Sequence, residues 1–171
     1  HHSDIGARDE QPHPLVLVRA AHRDVAQLAL VAQRDGAVGA HAILAHAERE
    51  QPGECCGVLL GQRLDVVEAV PVRNTADSPH RFVLDPKGHI DARRAARQRG
   101  LVVVGFYHSH PRSAPVPSAT DLAEAFDHES LQLIVGRTGA AMEGRVFRFD
   151  RGVALEIPLA IAGEAPPRMR G

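Results

Sequence analysis

The chain has no tryptophan, and aromatic residues make up only 4% of its 171 positions. So thin a set of rings offers no platform on which unpaired bases could stack, which argues against single-strand nucleic-acid binding. Charge of one sign is lacking too. The 20 basic and 21 acidic side chains leave a formal net charge of −1, so no global field draws the protein to nucleic acid or to an anionic membrane. No apolar run approaches the roughly 20 residues of a membrane-spanning helix. Cysteine occurs only as the neighbours Cys55 and Cys56. Adjacent cysteines rarely bridge each other, so no disulfide framework is expected and a reducing, cytoplasmic compartment is the default. No secretory signal is read near the start.

What is there suits a globular domain. An apolar fraction of 44% and a charged fraction of 24% are ordinary for one, and the length suffices to bury a core without staples. His1-His2 resembles a purification-tag remnant, and residues 1–14 are expected to be a disordered leader. Residues 15–160 are expected to form one domain and residues 161–171 a disordered tail. Leu15-Val16-Leu17-Val18 and Leu28-Ala29-Leu30-Val31 suggest short strands. An Ala-rich stretch predicts a helix over residues 38–50, stopped by Pro52 and Gly53.

Strands are predicted over residues 55–60, 66–72 and 81–84. Asp85 as N-cap and Pro86 at the first helical position then open a helix that ends at Gly100. Leu101-Val102-Val103-Val104-Gly105-Phe106-Tyr107 is the clearest strand, apolar on both faces and therefore central in a sheet. Ser118 caps a further helix expected to reach about His128, and strands follow over residues 131–135, 145–150 and 153–157. Strands interleaved with three helices predict an α/β or α+β domain, a mixed sheet flanked by helices.

The chemistry concentrates at the end of the central strand, at His108-Ser109-His110-Pro111, followed downstream by Ser118 and Asp121. With 11 histidines in the chain, about one His-x-His pair is expected by chance, so the pair alone carries little weight. Its position carries more. Residues i and i+2 of a strand point to one face, so both imidazoles can converge on one ion. Two imidazoles and one carboxylate leave a fourth coordination position open, which is the pattern of a catalytic zinc rather than a structural one. Ser118-x-x-Asp121 also reads as a capping box. That reading leaves the carboxylate on a rigid helical turn, a sensible mount for a ligand.

The full run, His108-Ser109-His110-Pro111, then Ser118, two residues, then Asp121, resembles the signature of the JAMM (MPN+) metalloproteases. Upstream, Gln51-Pro52-Gly53-Glu54-Cys55-Cys56-Gly57-Val58-Leu59-Leu60-Gly61 is similar to the family's glutamate-bearing segment. Similarity continues through Val72-Arg73-Asn74-Thr75 and from Phe82 to Asp85, and covers roughly residues 38–157. The short bacterial and archaeal form is the closest in pattern. The resemblance implies a cytidine-deaminase-like sheet and one zinc held by His108, His110 and Asp121. It also implies Glu54 as general base and Ser118 as donor to the developing oxyanion.

The implied substrate is a ubiquitin-like β-grasp sulfur carrier ending in Gly-Gly, cleaved after that tail by a peptidase or isopeptidase. Three other readings stay open: a deubiquitinase-like isopeptidase, a non-catalytic MPN interaction module, and a cysteine hydrolase using Cys55 or Cys56. Buried small hydrophobes are the more ordinary role for those cysteines. Ser109, between the ligands, should face the opposite side and serve the structure. The oligomeric state, a homodimer included, stays open.

Overall fold

The computed structural model describes residues 30–32, 36–63, 65–125, 127 and 129–161. The predicted strand at Leu15-Val16-Leu17-Val18 lies outside them.

Six strands form one mixed sheet: β2 (Cys56–Gln62), β3 (Asp65–Val72), β4 (Val102–His110), β5 (Leu131–Thr138), β6 (Ala141–Asp150) and β7 (Val153–Ile157), in the spatial order β3-β2-β4-β5-β6-β7. All neighbours are antiparallel except β4 and β5, which run parallel with His108 beside Ile134 and His110 beside Gly136. A separate parallel pair joins β1 (Leu30–Ala32) to β8 (Leu159–Ile161). Among the described residues there are also three helices: α1 (Gly36–Arg49), α2 (Pro86–Gln98) and α3 (Ala119–Glu124).

The apolar alternation along the strands assigns the helices to faces. Leu59, Tyr107, Leu133 and Val135 pack with Ile43 and Ala47 of α1 on one face. Val58, Leu60 and Phe106 pack with Ala92 and Ala96 of α2 on the other. Ile134, Phe147 and Phe149 continue that second face, where Leu122 and Ala125 at α3 rest on them. The strand β4 is covered on both sides and its residues from Val104 to His110 are buried, as its unbroken β-branched run predicted. α1 is fastened to it by a buried hydrogen bond between His46 Nδ1 and the Tyr107 hydroxyl, 2.9 Å apart.

α2 begins as expected, with Pro86 in its first turn and the Asp85 carboxylate accepting the Gly88 amide at 3.3 Å. Gly100 follows its end at φ +71°, a left-handed turn that glycine adopts without steric cost. Two predicted elements come out differently. Residues 81–84 form no strand, only a single bridge between Leu84 and Asn74. α3 stops at Glu124 rather than near His128, because Ala125 is already extended. The Asp127 carboxylate accepts the Glu129 and Ser130 amides at 2.9 and 3.3 Å, which turns the chain into β5. Among the described residues no helix is long and apolar enough to cross a membrane.

Candidate metal centre

β4 runs through the histidine pair and ends at His110, so the pair lies at the end of the central strand as expected. Both side chains emerge on the α2/α3 face, as the two-residue period requires. Ser109 faces the other way: its Oγ accepts the Cys55 amide at 2.8 Å, and its own amide donates to the Cys55 carbonyl at 3.0 Å. These two bonds extend the β2–β4 register beyond Cys56 beside His108 and bring Glu54 level with His110.

Pro111 and the loop after it bend back across β5. Gly136 permits this, since a Cβ there would lie 2.5 Å from the Ser113 carbonyl oxygen and 2.6 Å from Pro115 N. The Arg137 amide donates to the Ser113 carbonyl at 2.7 Å and fixes the fold-back. One consequence is chemical. The Ala114 carbonyl oxygen stands 3.2 Å from His110 Nδ1, so Nδ1 carries a proton in the neutral and the charged ring alike, and in the neutral ring Nε2 is the lone-pair nitrogen.

α3 then delivers Asp121. Its carboxylate accepts the Ser118 amide at 2.8 Å while the Ser118 hydroxyl oxygen accepts the Asp121 amide at 3.0 Å, a complete capping box. The two readings of Ser118-x-x-Asp121 are therefore compatible. Asp121 Oδ1 lies 3.2 Å from His108 Nε2, Asp121 Oδ2 lies 3.1 Å from His110 Nε2, and the two Nε2 atoms are 3.1 Å apart. One ligand atom from each of the three residues lies within 4.8 Å of the others, so together they can hold a metal ion.

The electrostatics agree. In the charged ring His110 Nε2 donates to Asp121 Oδ2 at 3.1 Å; in the neutral ring it turns a lone pair toward that carboxylate, the arrangement a cation between them would suit. Burial would raise the Asp121 pKa, but hydrogen bonds and charge from the two imidazoles outweigh it and hold the carboxyl well below its usual range. For His110, burial opposes the charged form, and Asp121, the Ala114 carbonyl and Glu54 together overcome it and raise the pKa. His108 goes down because it is fully desolvated. Its Nδ1 is buried with no hydrogen-bond partner among the described residues, and the Phe82 ring stacks on the imidazole at 4.3 Å between centroids.

Glu54 is 8% exposed. Burial pushes its carboxyl up to about 7, with His110 pulling down and Asp121 pushing up. The Cys55 and Cys56 thiols are raised by burial to about 11 and about 12, which makes them inert hydrophobes rather than nucleophiles. A cavity of about 540 Å³ opens beside His108 and Asp121, walled by Phe82, Leu84, Phe106 and Phe149. The structure brings together His108, His110 and Asp121, the three residues named as ligands from the sequence. The sequence alone assigned no role to the Ala114 carbonyl, to Phe82 or to Asn74. The last two fell inside the matching segments, which was the available signal for them.

Fold and site together define an α/β domain whose central strand and an adjoining capped helix build a three-ligand metal-binding group. The chain belongs to the prokaryotic JAB (JAMM) family: the family described as prokaryotic homologs of the JAB domain matches residues 37–150. It is 44% identical over 90 residues to a desampylase of Haloferax volcanii, an alignment covering 48% of this chain and 65% of that protein. The chain thus spans just under two thirds of that relative. It is 33% identical over 124 residues to the CysO-cysteine peptidase of Mycobacterium tuberculosis, covering 71% of this chain and 85% of the relative. A solution structure from Desulfitobacterium hafniense superposes with a TM-score of 0.70 at 29% identity, covering 79% of this chain and 94% of that one.

Proposed function

We propose that the protein is a zinc-dependent peptidase or isopeptidase that hydrolyses the bond after the C-terminal Gly-Gly tail of a ubiquitin-like sulfur-carrier protein. The observation that carries this reading is the convergence of His108, His110 and Asp121 on one point, with the buried carboxyl of Glu54 level with His110. Names of relatives support the substrate class, since one is a desampylase and another a CysO-cysteine peptidase.

The three ligands would hold one zinc, whose contribution there is to polarise a carbonyl and to acidify a water toward a pKa of about 7. Glu54 serves as general base. A carboxyl with a proton affinity near neutrality can take a proton from water and hand it to a leaving amine. Ser118 accepts a backbone amide on its oxygen and keeps its own hydroxyl proton free, so it can donate to an oxygen that gains charge during attack. The apolar cavity along His108 and Asp121 excludes water from an extended tail, and glycine lets that backbone approach closely.

The test is intact mass of a Gly-Gly carrier bearing one extra C-terminal residue, and of lysine-linked diubiquitin, each incubated with zinc-loaded protein. Loss of the extra residue by wild type and not by Glu54→Gln is the expected result. Cleavage of diubiquitin alone moves the assignment to a deubiquitinase-like isopeptidase. Cleavage of neither, with zinc bound, favours an interaction module.

A further inference from the structure

Next to the ligand set, one side chain makes every hydrogen bond that an amide can make. Asn74 Nδ2 donates to the Glu54 carbonyl at 3.0 Å and to the Arg81 carbonyl at 3.1 Å. Its Oδ1 accepts the Ala76 amide at 3.0 Å and the Val83 amide at 2.9 Å. Two donors and two acceptor sites are thus all engaged. The residue sits where regular pairing has run out: the β2–β3 ladder ends at Cys56 beside Val72, and Glu54 lies beyond it.

The partners of Asn74 lead to the metal ligands by two short routes. Phe82, between the two anchored residues Arg81 and Val83, stacks on the His108 ring at an interplanar angle of 21°. Arg81 grips Glu124 with two contacts, Nη2 to Oε1 at 2.8 Å and Nε to Oε2 at 3.2 Å. Glu124 lies on α3, three residues after Asp121, and α3 packs on the core only through the partly buried Leu122 and the adjoining Ala125. The segment 81–83 therefore touches both elements that carry ligands, and Asn74 ties that segment to the backbone of Glu54.

We infer that Asn74 is a positioning residue for the hydrolytic reaction. It fixes Glu54 relative to His108 and Asp121 by joining the backbone of the base to the segment that clamps both ligands. This rests on the reading of Glu54 as general base. A carboxylate at position 74 keeps the shape and both acceptor bonds but cannot donate to the two carbonyls, so it releases Glu54 and Arg81 together. A displacement of about 1 Å at a reacting group costs on the order of 100-fold in rate.

The experiment compares wild type, Asn74→Asp and Asn74→Ala, all zinc-loaded, in three measurements. Turnover of the Gly-Gly carrier with one extra residue gives kcat and KM. Tail affinity is read by calorimetry in a Glu54→Gln background, with and without the Asn74 change. Amide hydrogen exchange follows residues 54–55 and 81–84. The inference predicts kcat reduced about 100-fold, with KM, zinc content and tail affinity within about threefold. It also predicts exchange rising together in both segments while His108 and His110 stay protected. A kcat within threefold of wild type overturns it. Loss of zinc or of tail affinity in proportion to activity also overturns it and makes Asn74 a scaffold residue. If wild type cleaves nothing, the proposed function fails, and the exchange pattern alone still decides whether Asn74 couples the two segments.

Discussion

At the scale of single residues, burial raises the Glu54 carboxyl and the two thiols alike, with opposite consequences near neutral pH. Glu54 has its carboxyl raised from 4.5 to about 7, so in metal-free protein the native state binds more protons than the unfolded chain between those values. Stability contributed there falls as pH rises from about 4.5 to 7. Glu54→Gln removes that penalty. The metal-free variant should unfold at higher urea than metal-free wild type at pH 8, by about 1–3 kcal/mol, with little difference at pH 4.5. The same substitution should lower zinc-dependent turnover at least 100-fold while leaving metal content unchanged. The two thiols make the opposite case. Raised to about 11 and about 12, they are less than about 0.1% thiolate at pH 8. An alkylating agent under native conditions should leave activity intact, whereas a chelator should abolish it; inactivation by alkylation would revive the cysteine-hydrolase reading.

At the scale of elements, the site depends on how a strand end, a fold-back loop and a six-residue helix meet. Gly136→Ala places a methyl group within 2.5 Å of the Ser113 carbonyl oxygen, which should move the loop and withdraw the Ala114 carbonyl from His110. Losing such an outer partner costs about 10–100-fold in metal affinity, measurable by competition with a chromophoric chelator. Ser118→Ala should behave differently. It removes a cap worth about 1 kcal/mol and the proposed oxyanion donor, so turnover should fall about 100-fold or more with zinc retained. The sequence made part of this legible. The β-branched run fixed β4, and i, i+2 geometry put the imidazoles on one face. Helical propensity overran at α3 because Ala, Leu and Glu favour continuation, while the chain had to turn at Asp127 to enter β5. The segment 81–84 looked like a strand, but the Asn74 side chain takes the place of a ladder partner there. Such contacts, like the Ala114 carbonyl, belong to tertiary path and leave no periodic trace.

At the scale of the whole molecule, the sheet mounts two of the three ligands on its central strand, and a cavity of about 540 Å³ opens against His108 and Asp121. β4 contributes Phe106 to the cavity wall and His108 to the ligand set, so cavity and metal-binding group share one strand. A ligand that binds only the folded state stabilises it by mass action, by about 2.7 kcal/mol at 100 times its Kd. Zinc should therefore raise the melting temperature of wild type and of Glu54→Gln alike. The most direct test of the account is the zinc stoichiometry of the folded chain by native mass spectrometry, for wild type, Glu54→Gln and Asp121→Ala. The account predicts one zinc per chain in the first two and none retained by the third. A wild type that binds no zinc, or an Asp121→Ala protein that keeps it as tightly, would contradict it.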